Sequence, residues 1–189
     1  MDETAARICK FWIEEVGPEG WYKVDPALDA VIRERYLDLW EIARNGGCDA
    51  WTSVAESCLG LVILLDQFPR NMFRGDARSF ASDAKALAVA KSAIARGCDR
   101  VEALPGRAFF YLPLMHSETL PDQERSVRLC LMRLGRGSNL THARAHRLVI
   151  RRFGRFPYRN EVLGRVTTLA EQEFLDAGGY AAAMREVSA

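Results

Sequence analysis

The sequence predicts an all-α fold, and three observations carry that expectation. Apolar residues recur at helical spacing from end to end, no stretch alternates apolar and polar residues between hairpin turns, and glycine or proline stands where each apolar stripe runs out. Antiparallel helix pairs joined by short turns and stacked on one another follow from this pattern. At 189 residues, 49% hydrophobic and 27% charged, the chain is sized for a single helical domain, 1–189, with one substantial core.

The first stripe is Ala5, Ile8, Cys9, Trp12, Ile13 and Val16, stopped by Gly17-Pro18. A second helix opens with Asp25 as cap and Pro26 in the first helical position, where the missing N–H would be unpaired anyway. Its stripe (Leu28, Val31, Ile32, Leu39, Trp40, Ala43) ends at Gly46-Gly47. Ser53 and Glu56 read as a capping box ahead of Leu59 to Leu65, which is apolar on all sides and so belongs at the centre of the domain. Pro69 is expected to end that helix. A fourth runs from about Ala77 to Arg96 between an Asp76 cap and Gly97. An aromatic segment from Pro105 to Glu118 contains Pro113, which must kink or split a helix there. Helices over roughly Pro121–Leu134 and Asn139–Phe153 follow, and Thr168 with Glu171 caps a last one that ends at Gly178-Gly179. From about residue 180 the tail is expected to fray.

Several classes are excluded. The longest uninterrupted apolar or glycine run, Cys58 to Leu65, has eight residues, against about 20 for a membrane span. Charged residues fill the region where an export signal would lie. The five cysteines contain no C-x-x-C pair, which suits a reducing, cytoplasmic setting.

Net charge is +1, but its distribution is uneven: Arg125 to Arg165 holds eleven arginines and one acid, Glu161. Such a segment can meet an anionic ligand, or it can pack against acidic helices of the same fold. Nucleic acid is not expected, because no aromatic residues are interleaved along a basic face.

Two stretches read almost alike: Asp66-Gln67-Phe68-Pro69-Arg70-Asn71 and Gly154-Arg155-Phe156-Pro157-Tyr158-Arg159-Asn160. Proline pushes the preceding phenylalanine toward an extended backbone, so each pair is expected to turn the chain. Capping of a helix end by Arg and Asn is the simpler account of both. Asp66, following the most apolar helix, needs a cation or several donors, and Arg70, Arg155 and Arg159 are the available partners if the two turns enclose one polar cleft.

The histidines form a third group. His116 and Glu118 make an H-x-E pair that could move a proton, and His142 and His146 lie four apart on one helix face. No metal is expected, since H-E-x-x-H is absent and arginines crowd the helix. No glycine-rich phosphate loop or G-x-S-x-G elbow occurs, and no cofactor is implied.

Leu64 to Asn71, Phe80 to Leu87, Tyr111-Leu112-Pro113 with His116-Ser117-Glu118, Asp122 to Val127, and His146-Arg147 with Arg152 to Asn160 and Leu163-Gly164-Arg165 together resemble the bacterial domain-of-unknown-function family 924. The resemblance runs from Phe11-Trp12 to Phe174-Leu175. It implies an all-α fold similar to tetratricopeptide-repeat proteins, with helix pairs in a right-handed stack, and no established activity. Tyr158 departs from the pattern, standing where relatives commonly have histidine.

Three functions fit. The first is a binding module holding an anionic small molecule or acidic peptide through Asp66, Gln67, Arg70, Asn71, His116, Glu118, His146, Arg155, Arg159 and Asn160. The second is a small hydrolase or transferase on a phosphorylated or carboxylated substrate, with His116 or Glu118 handling the proton. The third is a helical interaction scaffold, with which self-association is compatible.

Overall fold

The computed structural model describes residues 2–101 and 106–188; Pro105, at the start of the expected aromatic segment, lies outside them. The chain is all-α, with no strand among the described residues. None of the helices described is long and apolar enough to cross a membrane. Two compact units divide the chain, Met1–Pro113 and Leu114–Ala189.

In the first unit, α1 (Glu3–Cys9) starts at Asp2, whose carboxylate accepts from the N–H groups of Thr4 and Ala5. It passes through a widened turn, Lys10–Val16, into the short α2 (Gly17–Gly20). Helix α3 (Pro26–Arg44) is capped by Asp25 and begins with proline, as its sequence predicts. Helix α4 (Ala55–Val62) opens into a second widened turn, Ile63–Gln67, and continues as α5 (Phe68–Met72). Helix α6 (Asp83–Arg96) ends at Gly97, whose φ of +80° only glycine adopts without strain, and α7 (Cys98–Val101) follows. Pro113 falls in the first turn of α8 (Leu112–His116), where its missing N–H is tolerated.

Leu59, Leu61, Val62, Ile63, Leu64 and Leu65 are all at most 1% exposed, so the all-round apolar run is the centre of this unit. Gly60 lets α1 reach it: a Cβ there would lie 2.8 Å from the Ala5 carbonyl oxygen. Trp12 and Phe68 meet edge to face at 5.5 Å beside it.

The second unit contains α9 (Leu120–Leu129), a third widened turn at Cys130–Leu134, α10 (Ser138–Phe153), α11 (Leu169–Asp176) and α12 (Tyr180–Ser188). Thr168 and Glu171 form the expected reciprocal capping box. Ala145, Val149, Ile150, Phe156, Phe174 and Ala183 make its core.

Four local expectations are corrected. Ser53 does not cap α4: its hydroxyl donates to the Ala50 carbonyl at 2.8 Å inside a 3₁₀ turn, Asp49–Ser53, and Val54 precedes the helix without a side-chain cap. Asp76 caps a separate 3₁₀ turn, Ala77–Phe80, and α6 begins only at Asp83. The helix does not stop at Pro69, for a reason given below. The tail does not fray at 180, because Gly178 and Gly179, with φ of +106° and +54°, reverse the chain and bring Ala183 into the core at 1% exposure.

Candidate functional site

The first Phe-Pro motif belongs to the first unit. Its widened turn replaces the usual i→i−4 bond: the Phe68 N–H reaches back to the Ile63 carbonyl. Pro69 has no N–H to offer the Leu65 carbonyl, which accepts instead from the Ser82 hydroxyl at 2.6 Å, and Ser82 in turn accepts from Trp40 Nε1 at 2.9 Å. A proline ring normally collides with the carbonyl four residues earlier. Here that carbonyl is Leu65's, bonded to Ser82, so Pro69 enters α5 without ending the helix and Phe68 stays helical (φ −59°, ψ −37°). The expected extended phenylalanine is therefore absent at this motif.

Asp66 is 0% exposed. Its Oδ2 accepts from Gln67 Nε2 at 2.5 Å, and its Oδ1 lies 3.6 Å from Arg70 Nη1, which also donates to the Asp66 carbonyl oxygen. Arg70 bridges onward to Asp83 at 3.0 Å. Asn71 donates to Asp29 Oδ1 at 2.8 Å, and Arg74 grips the same carboxylate with two bonds of 2.9 Å. An open groove of about 590 Å³ borders Asn71 and Arg74, lined also by Asp29, Arg33, Glu34 and Asp38. Three acids against two arginines do not favour an anion there.

The second motif belongs to the second unit and behaves as the sequence predicts. Gly154 closes α10 at φ +70°, Phe156 is extended (φ −93°, ψ +104°), and Pro157–Arg159 forms a 3₁₀ turn. Phe156, 0% exposed, gathers the neighbouring polar groups. Its N–H donates to Glu118 Oε1 at 2.9 Å. The Arg159 guanidinium carbon lies 4.6 Å from the ring centre, and the His146 ring meets it edge to face at 5.4 Å. His116 approaches His146 with ring centres 6.1 Å apart.

Glu118 is gripped by both ends of the Arg165 guanidinium, at 2.9 and 2.8 Å. Burial alone would raise its pKa; the Arg165 guanidinium and the Phe156 N–H outweigh that and hold the carboxyl below its usual range. Glu118 is thus ionised and held in place by Arg165 and the Phe156 N–H. Arg155 does not join the group. Its Nε and Nη2 donate to Glu171 at 2.6 and 2.7 Å, and Nη2 also caps the Val166 carbonyl at 2.8 Å. Asn160 donates to Thr167 Oγ1 at 3.3 Å, and its buried Oδ1 accepts no hydrogen bond from the described residues.

His146 keeps some surface, yet lies deep among protein atoms. Burial first, then the neighbouring His116 and Arg159, lower its pKa to about 3, so the ring is neutral near pH 7. Burial also lowers His142. The thiols of Cys58 and Cys130 are pushed by burial to about 11, poor values for nucleophiles.

Internal pairing accounts for a large part of the basic segment: Arg147 and Arg151 share Glu124, Arg152 meets Glu186, Arg155 meets Glu171 and Arg165 meets Glu118. Among the described residues no three His, Cys, Asp or Glu side chains are arranged to hold a metal ion. The ten candidates therefore divide, four in the first unit and six in the second. Sequence reasoning missed Arg165 and Tyr180 as members of the second group. The unmatched charge of Glu118 was a signal for the former; nothing local marks Tyr180, which packs beside His146 from α12 with ring centres 4.8 Å apart.

A model of a family of bacterial proteins of unknown function, DUF924, matches residues 8–179. The chain belongs to this family. Among solved structures, this DUF924 member is similar to a protein of unknown function, ATU0120, from Agrobacterium tumefaciens: 42% identity, 92% of this chain and 97% of that one covered, TM-score 0.88. No curated protein matches the chain.

Proposed function

We propose that this DUF924 member is a binding module whose second unit seats a small anionic molecule, or the acidic end of a peptide, beside Phe156. One observation carries the reading: a guanidinium and an imidazole converge on a single fully buried ring, while Glu118, which accepts from that residue's N–H, is paired with Arg165. Arg159 is 8% exposed, so its charge acts through little water. Its planar fork suits carboxylate or phosphate. To the same reading belong a cytoplasmic location, suited to the buried thiols of Cys48, Cys58, Cys98 and Cys130, and a tetratricopeptide-like stacking of the helix pairs.

Thermal unfolding in phosphate, citrate and a short acidic peptide, against chloride at matched ionic strength, tests it. The wild type is expected to melt higher in at least one of these anions, and Arg159→Gln to lose that response while still unfolding cooperatively. Equal melting in every anion would refute the reading.

The partly exposed His116 beside a neutral His146 favours, as a second reading, a hydrolase or transferase acting on such an anion. Turnover with a pH dependence that disappears in His116→Ala would select it over binding alone.

A further inference from the structure

The internal pairs that absorb much of the basic segment leave one face of the second unit strongly positive. Helices α9 and α10 pack together, and only residues 135–137 separate the widened turn after α9 from the start of α10, so the two run antiparallel. Glu124 fixes their register: it accepts from Arg147 at 3.0 Å and from Arg151, one turn further along α10. One turn nearer the connection, the same seam carries Arg128 on α9 and Arg144 on α10, because residues three or four apart share a helix face. Both are exposed, and neither makes a hydrogen bond or ion pair among the described residues. Four arginines thus stand along one face against a single carboxylate, and neighbouring like charges repel. His142 and His146 lie about half a turn around α10 from Arg144, so this face is separate from the Phe156 site.

The backbone adds an apolar step at the end of the stripe nearest the connection. Cys130 is fully buried, and the widened turn that it opens leaves the next two side chains in water: Leu131 is 43% exposed and Met132 73%. Met132 follows Arg128 by four residues, one turn on. We propose that the α9–α10 seam docks an acidic helical segment of a partner protein, its carboxylates lying along the arginines and an apolar residue covering Leu131 and Met132. Charge complementarity selects this occupant, since guanidinium forks bind carboxylates through paired bonds and a methionine thioether adapts to varied apolar partners. Nucleic acid fits less well, because no aromatic side chain stands between these arginines to stack a base. A lipid surface calls for apolar groups along the whole face, whereas here they gather at one end.

Fluorescence anisotropy tests the seam with a labelled synthetic helical peptide of about 15 residues, glutamates three and four apart and leucine at one end, against a copy with glutamine at every glutamate. The glutamate peptide is expected to bind, to weaken as salt is added, and to bind at least about tenfold tighter than the glutamine copy. Arg128→Gln combined with Arg144→Gln should cost about tenfold and flatten the salt dependence. Met132→Ser should cost about threefold and leave the salt dependence as it is. The two arginines hold no partner in the fold, so the double variant is expected to melt with the wild type; the two peptides and the salt series on wild-type protein decide the matter without it. No binding by the glutamate peptide, equal binding of the two peptides, or unchanged affinity in the folded double variant overturns the proposal. Tighter binding of a short DNA duplex or of phosphatidylserine vesicles than of the peptide overturns the choice of occupant.

Discussion

The two Phe-Pro motifs share four residue types and part ways in backbone. In the first, the helix widens just before the proline, the Leu65 carbonyl that Pro69 cannot serve is taken by Ser82, and the helix continues. In the second, Gly154 takes the left-handed conformation, the phenylalanine extends, and the chain leaves the helix. The polar residues follow the backbone. Arg70 and Asn71 stay on a helix and reach Asp83 and Asp29, whereas Arg159 folds over the face of its own Phe156 and Asn160 meets Thr167. The comparison teaches that Phe-Pro-Arg-Asn does not encode a turn by itself. What precedes it decides, and whether the carbonyl four residues before the proline has another partner.

At neutral pH the largest effects should come from the two phenylalanines. Phe68→Ala and Phe156→Ala each remove a fully buried ring and are expected to lose about 3–5 kcal/mol in urea unfolding. Phe156→Ala should also abolish stabilisation by anions, since the ring packs against His146 and Arg159; retention of that response would count against the second unit's site as its source. Ser82→Ala comes next, at about 2–3 kcal/mol, because it strands the Leu65 carbonyl and the Trp40 indole N–H in the core. A neutral result would mean that Pro69 needs no such prop.

Smaller effects separate the pair by pH. Arg155 first, with the Thr168 N–H, holds Glu171 at about 2 against an ordinary 4.5, outweighing the opposing effect of burial. Its stabilisation is complete above about pH 4.5 and is lost as pH falls toward 2, because the unfolded chain takes up the proton first. Arg155→Met should flatten the acid limb of melting temperature against pH in that window. His146→Gln should change least at neutral pH. With a folded pKa near 3 and an ordinary value of 6.5, His146 contributes fully above 6.5 and progressively less down to 3. The variant is expected to remove that slope, measured as melting temperature between the two values.

Helical periodicity alone located the principal helices, the buried run from Leu59 to Leu65, the Asp25-Pro26 start and the Thr168-Glu171 box, because those signals are written within a few residues of where they act. Ser53 and Asp76 misled because a 3₁₀ turn uses the same side chains for local bonds that a helix cap would use. Phe68 misled because the group that excuses its proline, Ser82, stands fourteen residues on. The candidate site was legible as residue types, and only partly as partners. Glu118 finds Arg165 across 47 positions and His142 finds Tyr180 across 38, separations that no local pattern encodes.

The widened turn at Ile63–Gln67 has an effect on chain length that composition would never reveal. Winding the same residues as an ordinary helix would carry everything downstream about 100° further around the axis, and the widened turn absorbs that rotation. Wound regularly, the chain would keep its hydropathy pattern, yet Arg70 and Asn71 would be aimed away from Asp83 and Asp29. One extra amino acid acts here as a wiring key, and counting residues matters at that point as much as identifying them.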